Sequence, residues 1–213
     1  MIVKIRPARE VDLPGVAAVL QDAFSDKMRI IFGDQPAKVR TLLEAVYIGP
    51  VRRGYDGVLI AEHAGRVVGT LLIEPMDHTP AESRVYENIA VREFGVPRML
   101  LASFLLWLVG YRPARNEAYI SDVAVASDCQ GESVGQQLMT YAEQWARDQQ
   151  RARLTLWVAA SNEPAIHLYQ KSGLVISETR SSWLTRLAYG IQEWHFMEKA
   201  LTPSEPSSLI TRT

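Results

Sequence analysis

The stretch that most limits what this chain can fold into runs from Ala118 to Gln149. "AYISDVAVA" is apolar and β-branched enough for a strand, and "SDCQGESVG" follows with two glycines. Val134, Leu138, Tyr141, Ala142 and Trp145 then recur at the spacing of an amphipathic helix. A strand that passes through a short glycine-bearing loop into a helix can hold an anion. The first amides of a helix lack partners, and its dipole favours negative charge there. The same residues also allow a plain helix start, because Ser133 and Gln136 have capping-box spacing. A Walker-type loop would need a Gly-Lys-Ser/Thr ending, and a dinucleotide fold its full glycine fingerprint; both are missing.

The elements around this segment alternate between the two periodicities. Ile2 to Arg6 alternates apolar and charged residues up to Pro7, so it is expected to form a half-buried strand. Asp12 and Pro14 then open a helix carrying Val16, Val19, Leu20 and Phe24, and a second helix starts at Pro36 and runs towards Gly49. "GVLIAEHAGRVVGTLLIEP" is a hairpin turning at His63 to Arg66, where Gly65 supplies a positive φ. Thr79 to Pro113 has helical patterning, with Pro97 in a first turn and Gly110 as a stop. "RLTLWVA" is a strand, and "NEPAIHLYQKSG" a short helix closed by Gly173. "LVISETR" and "EWHFMEKAL" form a final strand pair, joined through Ser181 to Gly190. The expectation is one mixed α/β domain over residues 1–201, with a mobile tail from Thr202.

Charge and cysteine content narrow the function classes. With 23 Lys plus Arg against 24 Asp plus Glu, the net charge of -1 offers no global attraction for nucleic acid or an anionic membrane. Cys129 is the single cysteine, and His63, His78, His167 and His195 have no metal-ligand spacing, so no metal is expected. The first residues lack a signal-peptide core, which suits a cytoplasmic protein. Met99 to Val109 is apolar but well short of the roughly 20 residues that span a bilayer.

Two ordered segments, "ISDVAVASDCQGESVGQQLMTYAEQWA" and "LTLWVAASNEPAIHLYQKSGL", resemble the GNAT superfamily of acyl-CoA-dependent N-acetyltransferases. The match rests on Val123-Ala124-Val125 before a Gln-x-x-Gly-x-Gly/Ala-type loop, and on Asn162, Leu168, Tyr169 and Gly173 after it. The resemblance implies the GNAT fold: a mixed central β-sheet flanked by helices, here with a helical insertion (79–113) between the third and fourth strands. It implies acetyl-CoA as cosubstrate, docked on backbone groups near Val123 and Val125 and on the loop Gln130, Gly131, Glu132, Ser133, Val134 and Gly135, with Asn162 as a further contact. The loop departs from the family pattern at Ser133, which replaces the middle glycine, and at Glu132, whose carboxylate would repel a pyrophosphate unless it points into solvent.

The resemblance also implies acetyl transfer to a primary amine of a small molecule, peptide or protein by direct attack, with Tyr169 as general acid. A phenol of ordinary pKa near 10 holds its proton at neutral pH. For the general base the resemblance implies a carboxylate or an ordered water, and Glu117 and Asp122 are the carboxylate candidates. On a regular strand Glu117, Tyr119 and Ser121 share one face and Asp122 the other, unless a bulge changes the register. Cys129 as a reactive thiol lacks a nearby histidine, and His167 reads as a helix-surface residue. The acceptor site is expected from Phe24 to Gly49, Thr79 to Pro113 and Ser181 to Gly190, with Trp183 and Tyr189 shaping its entrance. Residues 99–109 offer a pocket wall, a cover for the sheet or a homodimer face. The alternative function is a non-catalytic acyl-CoA-binding or regulatory protein, in which Glu132 and Ser133 have weakened catalysis.

Overall fold

The computed structural model describes residues 1–74, 80–108 and 110–201. The described strands are β1 (Lys4–Pro7), β2 (Val58–His63), β3 (Arg66–Ile73), β4 (Glu117–Val125), β5 (Arg153–Ala159), β6 (Val175–Ser181) and β7 (Glu193–Ala200). They form one sheet in the order β1-β2-β3-β4-β5-β7-β6, antiparallel throughout except where β4 meets β5. The helices are α1 (Leu13–Ala23), α2 (Ser25–Phe32), α3 (Pro36–Arg52), α4 (Pro80–Phe94), α5 (Val96–Leu108), α6 (Val134–Asp148), α7 (Glu163–Lys171) and α8 (Trp183–Tyr189). The parallel pair follows from α6, which carries the chain back across the sheet between β4 and β5.

Period-two alternation in the central strands sets the two faces. Leu59, Leu71 and Ile73 pack with Leu138, Met139 and Ala142 of α6, whereas Val58, Ile60 and Leu72 pack with α1 and α3 through Val16, Leu20 and Tyr47. Leu138 is fully buried, and burying such a side chain contributes about 2 kcal/mol. The hairpin between β2 and β3 turns on Ala64 (φ 49°) and Gly65 (φ 78°), the pair of positive φ values that lets two strands twist into a tight connection.

A third apolar cluster, including Ile31, Phe32, Leu42, Ala90, Ala102 and Leu105, joins α2 and α3 to the insertion helices α4 and α5. The inner face of α5 therefore packs on helices rather than covering the sheet. Its outer face leaves Leu100 and Trp107 exposed, and Leu108 lines a small cavity described below. No helix among the described residues is long and apolar enough to cross a membrane.

Three helical features differ from the sequence expectation. The sequence does not mark α2, because its apolar residues are confined to Met28 and Ile30 to Phe32 and Phe24 reads as the end of the preceding helix. α3 continues through Pro50 to Arg52, since a proline in the last turn removes only one helical hydrogen bond. α8 lies within what looked like a connection. Ser182 Oγ caps it by accepting from Thr185 N at 3.3 Å, and Gly190 (φ 70°) ends it. The tail expected to be mobile from Thr202, the first residue of the insertion and Val109 lie outside the described residues.

The detail that positions the site is a β-bulge. Asp122 lies opposite Leu72, but Ile120 lies opposite Ile73, which leaves Ser121 as an extra residue in β4. Ala118 and Ile120 before the bulge, and Val123 and Val125 after it, consequently all pack towards α6. Asp122 turns to the α1–α3 face, where Tyr47 meets it. The bulge also ends the parallel ladder: β4 pairs with β5 from Glu117↔Arg153 to Ile120↔Leu156, and beyond that the strand ends part.

Candidate active site

A cavity of about 580 Å³ occupies the gap where β4 and β5 separate. It is bounded by the Val123–Val125 end of β4, the loop leading into α6, and α7. Beyond the last β4–β5 pair, backbone groups on that edge of β4 have no ladder partner on β5, so they remain able to hydrogen-bond a guest. Val123, Val125, Gln130, Gly131, Ser133, Val134, Gly135, Asn162 and Tyr169 all line this cavity.

The loop is an amide-rich turn rather than a side-chain cap. Ser133 adopts φ 61°, ψ 15°, the left-handed conformation that glycine takes at least cost, and its hydroxyl makes no capping bond. The capping box that the spacing also allowed is therefore absent; Gln136 Nε2 instead donates to Ser172 Oγ at 3.2 Å. Gly135 lies where α6 approaches α7: a Cβ there would stand 2.9 Å from Leu168 Cδ2, so any larger residue would have to displace the end of that leucine side chain. The first amides of α6 thus face the cavity with the helix dipole behind them.

Glu132 does not oppose an anion here. Its side chain is 55% exposed and accepts from the Met1 ammonium at 3.1 Å, and it is not among the cavity-lining residues. Cys129 also borders this cavity but is buried, and its thiol is pushed up by burial, reinforced by Asp128 and opposed by Arg66, which disfavours a reactive thiolate. His167 is exposed on α7, as expected, and borders the same cavity.

Tyr169 is 8% exposed, and its phenol is pushed up to about 12, by burial first and by the charge of Asp122 second. It is held in its proton-bearing form at any physiological pH. Asn162 begins α7: its Oδ1 accepts from Ala165 N at 3.4 Å, so it caps the helix while bordering the cavity.

The two candidate bases occupy different environments. Asp122 accepts from Tyr47 Oη at 3.0 Å and from Ser121 Oγ at 3.3 Å. Burial raises its carboxyl above the usual range; Glu74 pushes the same way, and the two hydrogen bonds and Lys27 oppose them. Such a carboxylate is a better proton acceptor than one in water. Glu117, at the laddered end of β4, is 3% exposed. It accepts from Tyr111 Oη at 2.9 Å and Ala114 N at 3.1 Å and pairs with Arg153, which also reaches Glu198 at 3.0 Å. Its lone pairs are committed to holding the start of β4.

On the α1–α3 side of β4, β5 and β7 lies an aromatic group. Tyr111 packs on Tyr119 (4.8 Å between centroids) and Phe196 (5.5 Å), and Phe196 on Trp157 (5.1 Å). Beside it, a cavity of about 110 Å³ is bounded by Leu108, Tyr111, Trp157, Arg180, Thr185 and Trp194. Of the three segments expected to build the acceptor site, two border this cavity, 79–113 through Leu108, Gly110 and Tyr111 and 181–190 through Ser182 and Thr185, whereas no residue from Phe24 to Gly49 lines it. Trp183 is 72% exposed, and Tyr189 packs in the third apolar cluster with its phenol pushed up to about 12 by burial; neither lines either cavity. Lys27, Tyr47 and Trp194 were not foreseen. Tyr47 alone carried a signal, as a buried aromatic with a polar tip on the inward face of a predicted helix.

A model of the acetyltransferase (GNAT) family matches residues 18–174. Over 87 residues the chain is 31% identical to mycothiol acetyltransferase of Corynebacterium aurimucosum, covering 41% of this chain and 28% of that one. Over 80 residues it is 30% identical to a Bacillus subtilis protein provisionally named ribosomal protein bS18-alanine N-acetyltransferase, covering 38% and 50%. The chain thus spans half or less of the length of these curated relatives. Among solved structures, yncA of Salmonella typhimurium with its cofactor acetyl-CoA superposes with a TM-score of 0.60 at 15% identity, covering 98% of this chain and 99% of that one. At that identity the likeness is one of fold.

Proposed function

Because this chain belongs to the GNAT acetyltransferase family, we propose that its cleft transfers an acetyl group from acetyl-CoA to a primary amine by direct attack. The observation that carries the proposal is the convergence of unladdered β4 backbone, the amide-lined turn Gln130 to Gly135 and the buried, protonated Tyr169 on one cavity, with Asp122 next to Val123 in β4 and its charge acting on Tyr169. Acetyl-CoA would supply the activated acyl group. The turn would hold its pyrophosphate through the α6 amides, and backbone at Val123 and Val125 would orient the acyl end. Asp122 would take a proton from the acceptor ammonium, Tyr47 would fix that carboxylate, and Tyr169 would hold the proton needed by the departing sulfur. Asn162 would border the cofactor while capping α7.

Glu117 has the weaker claim as base, because its carboxylate is engaged by Arg153, Tyr111 and Ala114. The reason for a purely non-catalytic role also weakens, since Glu132 is exposed and does not line the cavity. Calorimetric titration tests the first step. Saturable binding of acetyl-CoA, abolished when Gly135→Leu closes the space against Leu168 in a protein that still melts cooperatively, is the expected result. Absence of binding to the unsubstituted protein would sink the proposal.

A further inference from the structure

We propose that Lys27 is an acetyl acceptor built into the chain, so that the protein transfers an acetyl group from acetyl-CoA to its own Lys27 Nζ in the cleft described above. The proposal rests on the acyltransferase reading of that cleft. Lys27 is exposed as a residue, yet its ammonium lies 5.3 Å from the ring centroid of Phe24 and 5.7 Å from that of Trp194. Phe24 lines the large cavity and Trp194 the small one, so this amine stands at the seam between the cofactor side and the aromatic side. Two ring faces and a nearby carboxylate form the kind of cage that holds an alkylammonium. Here the side chain that fills it belongs to the protein.

The electrostatics agree with the geometry. Burial around the ammonium lowers the Lys27 pKa from the usual lysine value, with Asp122 opposing, which raises the fraction of neutral, nucleophilic amine. The other lysines are placed differently. Lys199 Nζ is bound to Glu143 at 2.7 Å and to Ser172 O at 2.9 Å, Lys38 Nζ donates to Glu93 O at 2.8 Å, and Lys4 is exposed on β1. Lys171 is exposed and borders the cofactor cavity from α7.

In the reaction, neutral Nζ attacks the thioester carbonyl carbon, an N–C bond forms and the C–S bond breaks. Two protons leave Lys27 overall. Asp122 relays one to solvent; the other is balanced by the proton that Tyr169 gives to the departing sulfur and recovers from solvent. The products are acetyl-lysine, CoA thiol and one released proton.

The test is peptide mass spectrometry of the purified protein after timed incubation with acetyl-CoA and no added amine, with CoA release over an amine panel measured on the same preparation. The expected result is one acetyl group per chain on the peptide containing Lys27, formed at least about tenfold faster than on Lys4. Its half-time should not depend on protein concentration. Label should be absent from Lys27→Arg, which keeps the cation, and slowed in Tyr169→Phe. Labelling of Lys27 no faster than Lys4, or at a rate that rises with protein concentration, overturns the proposal. Amine-dependent CoA release without Lys27 label overturns it alone, whereas neither release nor label overturns the acyltransferase reading as well.

Discussion

Replacing Glu117 by Gln separates a structural carboxylate from a catalytic one. Glu117 is 3% exposed and receives Tyr111 Oη, Ala114 N and Arg153. Glutamine keeps the size and one acceptor oxygen, so the neutral donors can stay partly satisfied, but the ion pair is lost. Arg153 is 38% exposed on its side chain and retains Glu198, so its half of the pair is screened and partly compensated. The net cost is then about 2 kcal/mol, below the 3 to 5 kcal/mol typical of an uncompensated buried charge. For a chain of this length that lowers Tm by about 4–8 °C. Thermal unfolding followed by circular dichroism gives the stability arm, and thiol release from acetyl-CoA at a temperature well below Tm gives the activity arm. The expected outcome is a destabilised protein whose kcat/KM stays within about threefold of the unsubstituted one. A hundredfold loss of kcat/KM with Tm unchanged would refute the reasoning and make Glu117 the base.

Asp122→Asn should lower kcat by about 10²-fold or more, which steady-state kinetics would detect. The pH profile adds a sign: because the Asp122 carboxyl is raised by burial, activity should climb as pH passes upward through that raised value, and this limb should vanish in Asp122→Asn. The same shift means that ionising Asp122 costs stability as pH rises from the ordinary carboxylate range through the raised value, so denaturation midpoints of Asp122→Asn should vary less over that window. Tyr169→Phe should reduce kcat by about 10²-fold and leave the calorimetric Kd for acetyl-CoA within about twofold; an unchanged kcat would remove this phenol from the mechanism. At the left-handed Ser133, a β-branched side chain is strained by about 1–2 kcal/mol, so Ser133→Val should weaken acetyl-CoA binding about tenfold while Ser133→Gly binds at least as tightly as serine. Equal affinities for all three would mean that the turn's conformation does not govern binding.

The parts of the fold that were legible in the sequence are those with sustained periodicity. The β2–β3 hairpin, β4, α6 and β5 each alternate or repeat over enough residues to fix type and facing, and the Gln130 to Gly135 turn is located by the elements on either side of it. α2 and α8 were not legible, because a helix of two turns samples its period too briefly and is held by tertiary packing. The bulge at Ser121 shows a different limit. "ISDV" is an ordinary strand sequence, and the extra residue exists only because Ile120 and Asp122 pair with consecutive residues of β3. Without it, the side on which Asp122 would stand remained open, and with it the choice between two carboxylates. Lys27 escaped notice for a similar reason: the rings that enclose its ammonium come from Phe24, nearby in sequence, and Trp194, far along the chain.

Release of CoA thiol from acetyl-CoA by the purified chain, measured across a panel of primary amines that includes small molecules and peptides with free N-termini, tests the central claim most directly. The account predicts saturable release that depends on both acetyl-CoA and at least one amine and that falls in Tyr169→Phe. Release no faster than in the absence of protein, for every amine, would contradict it.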